Sequence, residues 1–137
     1  MIKTIDHIGI LTNDLQKSVE FYTDVLGFSV SRKIEMAEAG LSAVFVEKDG
    51  GRIGLMNYKG KKIPKRSDIA KIKLGESSIP INDHLTFSVD DIEATTTELK
   101  EKGVVFNLEP IQVEGGIKVA MFKDPEGVLI ELVEHHK

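Results

Sequence analysis

The sequence predicts an α+β fold in which one βαβββ module occurs twice, with the helices on one side of a mixed sheet. Three observations carry that expectation. The stretches "DHIGILTNDLQKSVEFYTDVLGF" (6–28) and "DHLTFSVDDIEATTTELKEKGVVF" (83–106) share one order: Asp-His, a short apolar strand, Asn/Asp-Asp, and a helical pattern closing at glycine. His7 and His84 lie 77 residues apart. The later stretches "DGGRIGLM" (49–56) and "EGVLIELV" (126–133) keep the same offset, with Ile53 on Ile130 and Leu55 on Leu132. One domain of 1–137 then divides into module 1 (about 1–56), a connecting loop (57–82) and module 2 (about 83–133).

The elements follow in order. Strand one spans Thr4 to Leu11, with His84 to Val89 as its counterpart. A helix starts from an Asp cap at Asp14 or Asp91, and the spacing of Leu15, Val19, Tyr22 and Leu26 gives it one apolar face. Gly27 or Gly103 stops it. Three strands complete each copy: "FSVSRKIEM", "LSAVFVEKD" and "RIGLMNY", then "VVFNLEPIQV", "IKVAMFKD" and "VLIELVE". The segments "KDGG" and "KDPEG" read as turns, with Asp124 and Glu126 as turn residues. Tyr22 belongs to the helix's core face, Tyr58 to general packing, and His135 and His136 to a solvated tail.

The connecting stretch 57–82 shows no strand alternation in this reading, and residues 59–73 carry seven Lys or Arg against one Asp. A loop of such length is uncommon in a compact domain. Two readings stand side by side: a solvated connector, and a lid that attracts an anionic substrate.

Bulk composition narrows the function classes. With 41% hydrophobic and 29% charged residues, the chain has material for one core. A net charge of -4 argues against a general nucleic-acid binder. The absence of cysteine excludes disulfides, thiolate metal sites and cysteine nucleophiles, and fits a reducing cytoplasm. "MIKTIDHIGILTND" is broken by Asp6, His7 and Asn13, and no stretch approaches the roughly 18 apolar residues of a membrane span. A cytoplasmic protein without a membrane partner is expected.

Strand alternation decides which residues share a face. Leu85, Phe87 and Val89 take the helix side, leaving His84, Thr86 and Ser88 opposite; Ile8 and Ile10 likewise leave His7 and Gly9. Val128, Ile130 and Leu132 turn Glu131 to that opposite face, and Ile53 and Leu55 do the same for Gly54. Either histidine alone reads as a satisfied core residue, and Glu131 alone as a strand-end carboxylate with a cationic partner. Together, at repeat-equivalent positions, His7, His84 and Glu131 point to a divalent-metal site, with imidazole and carboxylate ligands suiting zinc, nickel, iron, cobalt or manganese. Gly54, Met56, Thr86 and Ser88 are candidate substrate contacts.

"IDHIGILTNDLQKSVEFYTDVLGF", "DHLTFSVDDIE" and "FKDPEGVLIELVE" resemble the opening, second-module and closing motifs of the vicinal-oxygen-chelate superfamily, the glyoxalase, bleomycin-resistance and dioxygenase group, over nearly the whole chain. The resemblance implies a cupped sheet with the helices outside, often completed by homodimerisation, and a metal inside the cup. It matches His7, His84 and Glu131 to ligand positions and implies that Glu131 is also the base. Gly54 departs from the pattern: glyoxalase I enzymes have a second glutamate there, and the related epimerases an amide or acid. The expected function is a metal-dependent glyoxalase-like lyase or isomerase of a small oxygen-rich substrate, similar to lactoylglutathione lyase, with the metal stabilising an enediolate. Alternatives are a thiol transferase of the fosfomycin-resistance kind, an extradiol dioxygenase and a non-catalytic binding protein.

Overall fold

A computed structural model describes residues 1–136. It divides into two compact units, Met1–Pro64 and Lys65–Lys137.

In the first unit, β1 (Ile8–Leu11) lies parallel beside β4 (Gly51–Tyr58), followed by antiparallel β3 (Leu41–Lys48) and edge strand β2 (Ser29–Met36), in the order β1-β4-β3-β2. The side chain of Asp14 caps α1 (Leu15–Glu20) by accepting from Lys17 N at 3.1 Å. The chain then loosens into a π turn over Phe21–Val25, where Leu26 N reaches back to Phe21 O at 3.1 Å. This turn drives Tyr22 wholly into the core, edge-on to Phe21 and Phe28. Ile10, Val46, Ile53 and Leu55 are buried as alternation requires. Strand one is shorter than the expected Thr4–Leu11, and Ile8, at the start of a strand with one neighbour, is 43% exposed.

The second unit repeats the plan. β7 (His84–Ser88) lies parallel beside β10 (Leu129–His135), followed by β9 (Ile117–Lys123) and β8 (Phe106–Val113), in the order β7-β10-β9-β8. α2 (Ile92–Glu101) is capped by Asp91, which accepts from Ala94 N at 3.0 Å, and its Ile92 and Leu99 are buried. Pro110 lacks an N–H, and β8, which carries it, is an edge strand with an irregular register around it. Ile130 and Leu132 are buried on one face of β10, with Val128 buried just before it. His135 is the last residue of β10, paired with Ile117, so the expected tail begins one residue later; both His135 and His136 are exposed.

The reading of 57–82 as a connecting loop needs correction. β4 continues to Tyr58, and Ala70–Leu74 (β5) pairs with Ser77–Ile81 (β6) as an antiparallel hairpin turning at Gly75. "AKIKL" alternates with period two; its lysines disguised a strand as a charge run. Ile79 of this hairpin is buried against Leu108 and Val119, with Leu74, Met121 and Val133 packed around them. Met121 and Val133 are respectively the cross-strand partner of Glu131 and its neighbour two along β10. The hairpin therefore covers the Glu131 side of the second sheet. The segment leading to it is tied down by Arg66 Nη1 donating to Glu126 O at 3.2 Å and by an Asp68–Lys123 ion pair at 3.1 Å.

Candidate metal centre

In the second unit His84 opens β7 and Glu131 sits in mid-β10, aligned with Thr86. The His84 Nδ1 lies 2.8 Å from the carbonyl oxygen of Asn82. A carbonyl only accepts, so Nδ1 carries a hydrogen, and in the neutral ring the lone pair lies on Nε2. Asn82 is itself fixed: its amide donates to Ser67 O, and its Oδ1 accepts from Asp83 N, both at 2.8 Å. The His84 Nε2 faces Glu131 Oε1 at 3.6 Å, and Thr86 Oγ1 donates to the same oxygen at 3.0 Å. The Glu131 side chain is 19% exposed and that of His84 36%.

This donor set fits a cation. With the ring neutral and Glu131 ionised, Nε2 and Oε1 are two acceptors facing one another at 3.6 Å, an arrangement that a cation between them satisfies. Metal bonds to imidazole nitrogen and carboxylate oxygen run to about 2.1 Å each, so one ion reaches both atoms.

In the first unit His7, just before β1, is half-buried, and its Nδ1 lies 2.8 Å from Asp6 Oδ2. That bond holds the Asp6 carboxyl below its ordinary value; residual desolvation opposes the shift, and the charges of Arg52, 3.5 Å away, and of His7 reinforce it. A lowered carboxylate contributes fully above its unfolded-state pKa, and the contribution is lost as pH falls through the folded value. With Nδ1 donating to Asp6, the lone pair of the neutral His7 ring lies on Nε2. The His7 ring meets Phe45 edge-on, centroids 4.9 Å apart.

The candidate contacts divide between the units. Thr86 and Ser88 are exposed on β7, and Thr86 is engaged with Glu131. Gly54 is buried on β4, and Met56 is half-buried beside it. Sequence reasoning did not single out Phe45, Asp6 or Asn82. The doubled Asp-His pair was a signal for Asp6, but its repeat counterpart Asp83 does not hold His84; a backbone carbonyl does. Among the described residues, Asp91, Glu93 and Glu134 also bring three carboxylates within 4.8 Å. Two of them cap α2, Asp91 through Ala94 N and Glu134 through Ile92 N, and Glu93 pairs with Lys118.

Residues 4–132 match the Glyoxalase/Bleomycin resistance protein/Dioxygenase superfamily. The chain belongs to that superfamily. Within it, the chain is 34% identical to a probable lactoylglutathione lyase of Vibrio cholerae, over 94% of this chain and 88% of that one. It is 31% identical to the mitochondrial methylmalonyl-CoA epimerase of Homo sapiens, over 93% of this chain and 72% of the relative. A glyoxalase family protein from Enterococcus faecalis shares the fold with a TM-score of 0.76 at 25% identity, over 96% of this chain and 98% of that one. The superfamily's α+β architecture is thus the architecture of this chain. Among the described residues no helix is long and apolar enough to cross a membrane.

Proposed function

We propose that this chain is a divalent-metal-dependent lyase or isomerase of the glyoxalase type, acting on a small oxygen-rich substrate as a cytoplasmic homodimer. The observation that carries the reading is the confrontation of His84 Nε2 and Glu131 Oε1 at 3.6 Å. His84 and Glu131 are ligands, and His7 is the third, supplied by the first unit of this chain or of a second copy. The relatives' names, a probable lactoylglutathione lyase and a methylmalonyl-CoA epimerase, support the lyase or isomerase class.

A bound divalent ion would polarise a substrate carbonyl and acidify the adjacent C–H. The residues do the rest. Thr86 donates to Glu131 Oε1 and fixes the carboxylate plane. The other oxygen, Oε2, is left to take a proton from one carbon and return it to its neighbour. Gly54 stands where repeat symmetry places a second carboxylate, so a one-base isomerisation is favoured over a two-base epimerisation. The zinc, nickel, iron, cobalt or manganese choice is open to the same ligand set.

The test is metal analysis of protein purified without added metal, alongside His84→Ala. Near-stoichiometric metal in the wild type and its loss in the variant is expected; equal content in both sinks the site. Turnover of hemithioacetals by the metal-loaded wild type then tests the glyoxalase reaction itself.

A further inference from the structure

The two units part company at one place where their repeat predicts likeness. In the second unit Glu131 is aligned with Thr86 on one side and Met121 on the other. In the first, Gly54 occupies the same station, aligned with Gly9 and Phe45. Both hydrogen-bonding side chains of the Thr86–Glu131 pair are thus replaced by glycine together.

The vacated volume is filled by neighbours. A Cβ on Gly54 would lie 3.0 Å from Phe45 Cε1, 3.1 Å from His7 Cδ2 and 3.3 Å from Met56 Cε. A Cβ on Gly9 would lie 3.6 Å from Met56 Cε and 3.7 Å from its sulfur. Neither glycine has a positive φ, so neither is needed for backbone conformation. What glycine supplies here is room. The Phe45 ring uses it to lie across β4 and meet the edge of His7 at 4.9 Å.

We propose that Phe45, with Met56, is a specificity-determining residue: it fills the fourth-ligand position in the first unit and gives that position an apolar surface. The inference rests on the metal-centre reading and deepens it. The first unit then offers His7 as a ligand and has no proton acceptor at the Gly54 station, which confines proton transfer to Glu131.

The experiment compares wild type, Gly54→Glu, Phe45→Ala and Phe45→Ala/Gly54→Glu by zinc titration and thermal melting. Gly54→Glu alone should lower the Tm by several degrees, because side chain is forced into filled space, and should not tighten zinc. The double variant should bind zinc about tenfold or more tightly than Phe45→Ala, and with cobalt(II) should show the weaker visible absorption of a higher coordination number. The proposal is overturned if Gly54→Glu tightens zinc as much as the double variant with no loss of Tm, or if the double variant binds no better than Phe45→Ala. Failure of the underlying reading looks different: zinc uptake by the wild type would be unchanged in His84→Ala. The steric half is then still read from Tm, since Gly54→Ala should cost clearly more in the wild type than in Phe45→Ala, where only the contacts to His7 and Met56 are left; equal cost in both backgrounds overturns it.

Discussion

His7 and His84 follow the same dipeptide, Asp-His, yet are oriented by different chemistry: a side-chain carboxylate for one, the carbonyl of Asn82 for the other. Alternation along a strand was enough to choose the face for His84, Thr86 and Glu131. It says nothing about what lies behind an imidazole, because a carbonyl two residues back is present in every sequence. Groups that hold a ligand's far nitrogen fix its tautomer and typically alter metal affinity by about 10–100-fold. Asp6, 76% exposed, makes few packing contacts to lose. Asp6→Ala is therefore expected to weaken zinc binding by about tenfold with little change in Tm, as read by competition with a chromophoric chelator. A large fall in Tm with unchanged affinity would instead make Asp6 a structural residue.

Caps and turns were the most legible elements. Asp14 and Asp91 cap their helices because a short side-chain acceptor meets the free N–H groups of a first turn, a purely local rule. The "KDPEG" turn was legible too, but not its strength: Asp124 is 6% exposed, and its Oδ1 accepts from both Glu126 N and Val128 N at 2.8 Å. Asp91→Ala should cost about 1 kcal/mol, the usual value for a lost cap. Asp124→Ala should cost about 3 kcal/mol, since two carboxylate-accepted bonds go and one buried and one part-buried amide are left short of a partner. Urea unfolding checks both, with a lower midpoint and an unchanged slope expected. What was misread was the hairpin Ala70–Ile81, where alternating lysines gave composition more weight than period; the π turn at Phe21–Val25, around the buried Tyr22, departs from the plain helical period of the sequence.

At the scale of the whole molecule, the duplicated βαβββ order was legible because the offset of 77 residues survives in strands, caps and turns alike. A repeat does not say which copies combine. The chain resolves into two units, with His7 in one and His84 and Glu131 in the other. If the ligands come from two chains of a homodimer, a symmetric pair holds two equivalent centres, each built from one chain's His7 and the other chain's His84 and Glu131. Co-refolding His7→Ala chains with His84→Ala chains then has a computable outcome. In a mixed dimer one centre takes His7 from the His84→Ala chain and His84 with Glu131 from the His7→Ala chain, and is whole; its fellow is doubly defective. Metal content and activity should rise from near zero in either parent to one centre per mixed dimer. If all three ligands come from one chain, every centre in every dimer lacks a ligand, and mixing restores nothing. Metal analysis of differently tagged, doubly purified mixed dimers decides between these outcomes.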